Sequence, residues 1–173
     1  MKKTWILTIF AVLFLLTAWA LYVLLKSVNE NIALLFLLLN LSGVAVQAVN
    51  MLSQFAALML LSDAGYLKLF PTDQLQSMAM FFLDLNKNGF VIAQIFYSAW
   101  LLPLGYLVYK SGFLPKILGI LLMTDFVGVL IWFIQFFLFP GYEVVTYPGL
   151  AVSFVAEVSL TLWLLIKGAR EPA

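Results

Sequence analysis

The chain has 173 residues, of which 65% are hydrophobic and only 10% charged, and its mean hydropathy is +1.09. This usage lies far outside that of soluble domains and points to an integral membrane protein. A net charge of +1 with no basic run longer than Lys2-Lys3 leaves no electrostatic footprint for nucleic acid, and the absence of Cys and His removes disulfides, thiolates, imidazole ligands and the commonest general base.

A membrane span needs about 20 predominantly apolar residues. Five segments qualify in chain order: Trp5 to Leu25, Ile32 to Leu61, Phe90 to Tyr109, Ile117 to Leu138 and Gly149 to Ile166. Each ends in residues that hydrocarbon rejects, such as Lys26-Ser27-Val28-Asn29-Glu30-Asn31, Lys110-Ser111-Gly112 and Phe139-Pro140-Gly141-Tyr142. The first segment imitates a secretory signal, with Lys2-Lys3 before it and Ala18-Trp19-Ala20 inside it. Its apolar run continues through Leu25, so it is read as a retained span.

Between the second and third spans, Leu75, Met78, Phe82 and Leu85 fall on one helical face, with Asp73, Gln74, Gln76, Ser77 and Asp84 on others. This predicts an amphipathic helix over about 72–88 at the membrane edge. Asn86-Lys87-Asn88-Gly89 either ends that helix or interrupts one long helix running into the third span.

Lys26, Lys110, Lys116, Lys167 and Arg170 flank one membrane face, against Lys2, Lys3, Lys68 and Lys87 on the other. The positive-inside rule therefore places the first set in the cytoplasm.

Polar residues within the spans are the candidates for function, because hydrocarbon makes them costly. Asn40, Gly43, Gln47, Asn50 and Gln54 share one seam of the second span; Asp125, Gly128, Trp132 and Gln135 form another on the fourth; Ser153, Glu157 and Thr161 align on the fifth. Counted from Lys116 and Lys167, Asp125 and Glu157 both lie roughly 14–15 Å from the same surface, near the midplane. The three seams are expected to meet inside the bundle. No Lys or Arg lies in the central part of any span, so at neutral pH at least one of the two acids is expected to be protonated and bonded to Asn or Gln amides, unless a bound cation keeps them ionised. The plainer reading of Asn40, Gln47, Asn50, Gln54 and Gln135 is interhelical glue, worth about 1 kcal/mol or less per contact.

No potassium-channel filter, intramembrane aspartyl protease pair or phosphate loop is present, and a Ser nucleophile would lack a His base. The chain is therefore expected not to be an enzyme, and it calls for no cofactor or metal.

The run Tyr106-Leu107-Val108-Tyr109-Lys110-Ser111-Gly112-Phe113-Leu114-Pro115-Lys116-Ile117-Leu118-Gly119 resembles the hallmark of a bacterial membrane family known as domain of unknown function 4386. Leu24-Leu25-Lys26-Ser27-Val28-Asn29 resembles that family's first cytoplasmic turn. Phe81-Phe82-Leu83-Asp84-Leu85 resembles the approach to its next span, and Glu157 to Gly168 its closing helix. The resemblance covers nearly the whole chain. Family members usually carry a further span before the point matching Trp5, so this chain is expected to be an N-terminally short version. The resemblance implies fold and membrane location, and no ligand or catalytic residue.

The sequence thus predicts an all-α, single-domain bundle of about five transmembrane helices in a bacterial cytoplasmic membrane, with membrane lipid as its surroundings. Its expected working part is a midplane polar pocket around Asn40, Gln47, Asp125 and Glu157 for a small ligand, lipid or proton. The alternatives are a proton-coupled carrier using Glu157 or Asp125, and a membrane partner or assembly factor. Gly43, Gly119 and Gly128 would allow close helix approach in a homo-oligomer.

Overall fold

The computed structural model describes residues 4–62 and 64–169; Lys2, Lys3, Asp63 and Arg170 lie outside them. The described residues form helices joined by short turns, with no strand among them. The helices are α1 (Thr4–Leu25), α2 (Glu30–Leu60), α3 (Thr72–Ala99), α4 (Leu101–Ser111), α5 (Lys116–Leu138) and α6 (Tyr147–Ile166). Short 3-10 turns at Gly65–Leu69 and Glu143–Thr146 precede α3 and α6.

Four helical segments are long and apolar enough to cross a membrane: Glu30–Leu60, Thr72–Ser111, Lys116–Leu138 and Glu143–Ile166. Of the five expected spans, the first corresponds to α1, whose described apolar part is the shorter stretch Val12–Leu25.

Local chemistry explains where the helices begin and end. Asn29 caps α2 by accepting a hydrogen bond from the Ile32 N–H at 3.0 Å, with Glu30 in the first turn. Gly112, at φ 74°, takes the left-handed conformation that ends α4. The Ser111 hydroxyl donates back to the Val108 carbonyl at 2.9 Å and accepts from the Leu114 N–H at 3.3 Å. Pro115 then leads into α5. These contacts account for the Lys-Ser-Gly-Phe-Leu-Pro turn, whose Phe113 and Leu114 are buried against the core.

The separate amphipathic helix does not exist as such. Thr72 to Ala99 is one helix that runs through Asn86-Lys87-Asn88-Gly89 without a break and joins α4 at Trp100. Of the two readings of Asn86-Lys87-Asn88-Gly89, the one long helix is the one found, and Gly89 serves packing within it: a methyl there would collide with the Asn50 Oδ1 of α2. Together α3 and α4 span 40 residues, about 60 Å at 1.5 Å per residue. This is roughly twice a hydrocarbon core, so the start of α3 projects beyond it.

The long α3–α4 helix packs on α2 and also on α5, which in turn packs on α6; α1 lies against α2. Near the end carrying Lys26, Lys110 and Lys116 the elements converge on one core of Leu25, Phe36, Leu104, Leu107, Leu122 and Ala156.

The three glycines expected to serve an oligomer are used within the chain. A Cβ on Gly43 would stand 3.2 Å from Phe96, one on Gly119 2.6 Å from the Gly105 carbonyl oxygen, and one on Gly128 2.9 Å from the Gly149 Cα. Close intramolecular helix approach, with its dispersion gain, is their physical role here.

Candidate functional site

The α5–α6 crossing carries the first part of the site. Gly128 and Gly149 have no side chains to hold the helices apart, so α6 approaches α5 closely enough for Ser153 to reach Asp125 one turn from the crossing. Asp125 is fully buried. Its Oδ1 is in hydrogen-bond contact with the Ser153 Oγ, which also lies 3.1 Å from the Gly149 carbonyl oxygen. Its Oδ2 is buried with no partner. Glu157 lies one helical turn beyond Ser153 on α6. Its side chain is exposed on the outer face of α6.

Asn40 is buried on α2 and its Oδ1 has no partner; Gln47 is half-buried and its Oε1 is likewise unpaired. No hydrogen bond among the described residues joins either to Asp125 or Glu157. Asp125 bonds Ser153 of α6, whereas Asn50 and Gln54 of the α2 seam bond Asn86 of α3. The α2 seam contacts the long α3–α4 helix, which also packs on α5, and Asp125 meets Ser153 of α6.

Asn50 and Gln54 belong to a clasp between α2 and α3. Asn50 Nδ2 donates to the Asn86 carbonyl at 2.9 Å, Asn86 Nδ2 donates to the Asn50 carbonyl at 3.1 Å, and Gln54 Nε2 donates to the Asn86 Oδ1 at 3.1 Å. Reciprocal amide bonds of this type fix register, which is the glue role. Asn86 escaped the sequence reading because an Asn beside Lys-Asn-Gly looks like a turn.

Gln135 lies apart from both groups, near the end of α5, where its Nε2 donates to the Phe139 carbonyl at 3.0 Å. It forms part of the wall of a cleft of about 590 Å³ between α3, α5 and the turn before α6. Lys87, Phe90, Trp132, Phe136 and Glu143 also line that cleft. The Lys87 ammonium sits over the Phe136 ring, 5.6 Å from its centroid. In the sequence Lys87 stands out only as a charge at a span end.

Fold and site together define a class, an all-helical membrane bundle with a buried acid at the contact of two spanning helices. More narrowly, the chain belongs to the family described as domain of unknown function DUF4386, whose model matches residues 3–168. It is similar to an uncharacterized protein of Archaeoglobus fulgidus, with 31% identity over 155 residues that cover 88% of this chain and 75% of the relative. No solved structure matches it.

Proposed function

We propose that the chain is a non-enzymatic multi-pass protein of a bacterial cytoplasmic membrane, with Lys26, Lys110 and Lys116 on the cytoplasmic side, and that Asp125, Ser153 and Glu157 form a proton-holding site between α5 and α6. The observation that carries this reading is the Ser153 hydroxyl, within reach of both Asp125 and the Gly149 carbonyl. A hydroxyl has one hydrogen to donate. When Asp125 carries a proton, it donates to Ser153 and Ser153 donates to Gly149, so both contacts are hydrogen bonds. When Asp125 is ionised, Ser153 donates to only one of them, and a buried carboxylate is left with a bare Oδ2.

The electrostatics support the same state. Two carboxylates at one depth with no Lys or Arg in the span centres repel each other where screening by water is weak. A shared proton removes that cost.

The test is infrared spectroscopy of the protein in lipid across pH, comparing wild type with Asp125→Asn, Ser153→Ala and Glu157→Gln. A protonated carboxyl band at neutral pH that disappears in Asp125→Asn and changes frequency in Ser153→Ala is the expected result. A wild-type spectrum without any protonated carboxyl band at neutral pH would overturn the reading.

A further inference from the structure

The cleft lined by Lys87, Gln135 and Glu143 takes no part in the acid pair, and its chemistry is different. Along α5, Gln135 lies about 28 Å from Lys116. That is close to the full thickness of a hydrocarbon core, about 30 Å. Lys87 lies about 36 Å from Ser111 along the α3–α4 helix. The cleft is therefore at headgroup level on the face opposite Lys110 and Lys116. It presents one cation and one anion, Lys87 on α3 and Glu143 on the turn before α6, across a space of about 590 Å³. The Phe136 ring supports the Lys87 ammonium without neutralising it.

A second depression adjoins the first. Ile131, Ile134, Phe139, Tyr142 and Val145 line a groove of about 490 Å³, and Gln135 belongs to the walls of both. Gln135 is 7% exposed and commits one N–H to the Phe139 carbonyl, so it is a built part of the partition rather than a loose side chain. A charged cleft beside an apolar groove, with the Gln135 wall in common, matches a molecule with two opposite charges at one end and hydrocarbon at the other.

We propose that this is a binding site for a zwitterionic aminophospholipid. Lys87 takes the phosphate, Glu143 takes the ammonium, and an acyl chain leaves along Ile131 and Ile134. An anionic lipid without an amine fits worse, because it would leave the Glu143 carboxylate unpaired and close to a second negative charge. A free zwitterion would fill the cleft and leave the groove uncovered.

The experiment is native mass spectrometry of the full chain released from micelles containing equal amounts of phosphatidylethanolamine and phosphatidylglycerol with identical acyl chains. Retention of phosphatidylethanolamine is expected to exceed that of phosphatidylglycerol by about tenfold, the worth of one charge-assisted contact. Glu143→Gln should abolish that preference, Lys87→Gln should weaken retention of both lipids, and Glu157→Gln should change neither. The last variant separates a failure here from a failure of the proton-holding reading. Equal retention of the two lipids by wild type, or a preference that survives Glu143→Gln, overturns the proposal. Competition by glycerophosphoethanolamine at the lipid's own concentration overturns it too, in favour of a soluble zwitterion. Lys87 and Glu143 are both exposed, so neither substitution opens the core. Should a variant fail to stay monodisperse, the wild-type lipid comparison and the soluble competitor decide the matter by themselves.

Discussion

Gly128 on α5 and Gly149 on α6 face each other so closely that a methyl group on either would stand 2.9 Å from the other's Cα. The obstruction is backbone and cannot rotate aside. Gly128→Ala must therefore separate the helices, at a cost of about 1–3 kcal/mol for overpacking. The expected result is a lower unfolding midpoint in detergent, together with loss of the Ser153 contact to Asp125 that depends on the crossing. A thermal melt paired with the infrared carboxyl band reads both effects. An unchanged midpoint would contradict this packing.

The α2–α3 clasp predicts a specific non-additivity. Gly89→Ala brings a methyl into the space of the Asn50 Oδ1 and should displace that amide, while Asn50→Ala removes the same amide outright. Each single variant should lose about 1 kcal/mol of stability, by the measure of interhelical hydrogen bonds in membranes. The double variant should lose clearly less than the sum, because the collision disappears with its target. Reversible unfolding of the four proteins in mixed micelles supplies the cycle, and simple additivity would rule out the contact.

Gly112 offers a purely conformational test. Nothing lies within 4 Å of the position a Cβ would take, yet the residue sits at φ 74°. Gly112→Ala should destabilise by about 1 kcal/mol through left-handed backbone strain alone. Gly112→Asn should cost less, since Asn tolerates that region. Denaturant midpoints for the two variants give the ranking, and Asn faring worse than Ala would point to a steric cause instead.

The hydrophobic segments were legible as helices because their length and composition leave no other folded outcome in hydrocarbon. The ends of α2, α4 and α5 were legible as well: Asn29, Gly112 and Pro115 act through local backbone chemistry, which neighbouring residues suffice to define. Gly89 shows where local reading stops. Its own sequence neighbours leave open whether it ends a helix or lies within one; its partner Asn50 makes it a notch in one. The cleft of Lys87 and Glu143 was invisible for the same reason, since the two charges lie on elements far apart in sequence and come together only through the packing of α3, α5 and the turn before α6.

The sequence by itself determined that this is an all-helical membrane protein and which residues turn its helices, because composition and capping are properties of single segments. Only the tertiary structure decided which polar face meets which: Asn50 and Gln54 meet Asn86, Asp125 meets Ser153, Glu157 turns outward, and Gln135 joins the rim cleft. The physical reason is that a helix's polar seam specifies the need for a partner, while the partner is chosen by how closely whole helices can approach. In this protein those approaches are set by pairs of residues far apart in the chain, Gly128 with Gly149 and Gly89 with Asn50.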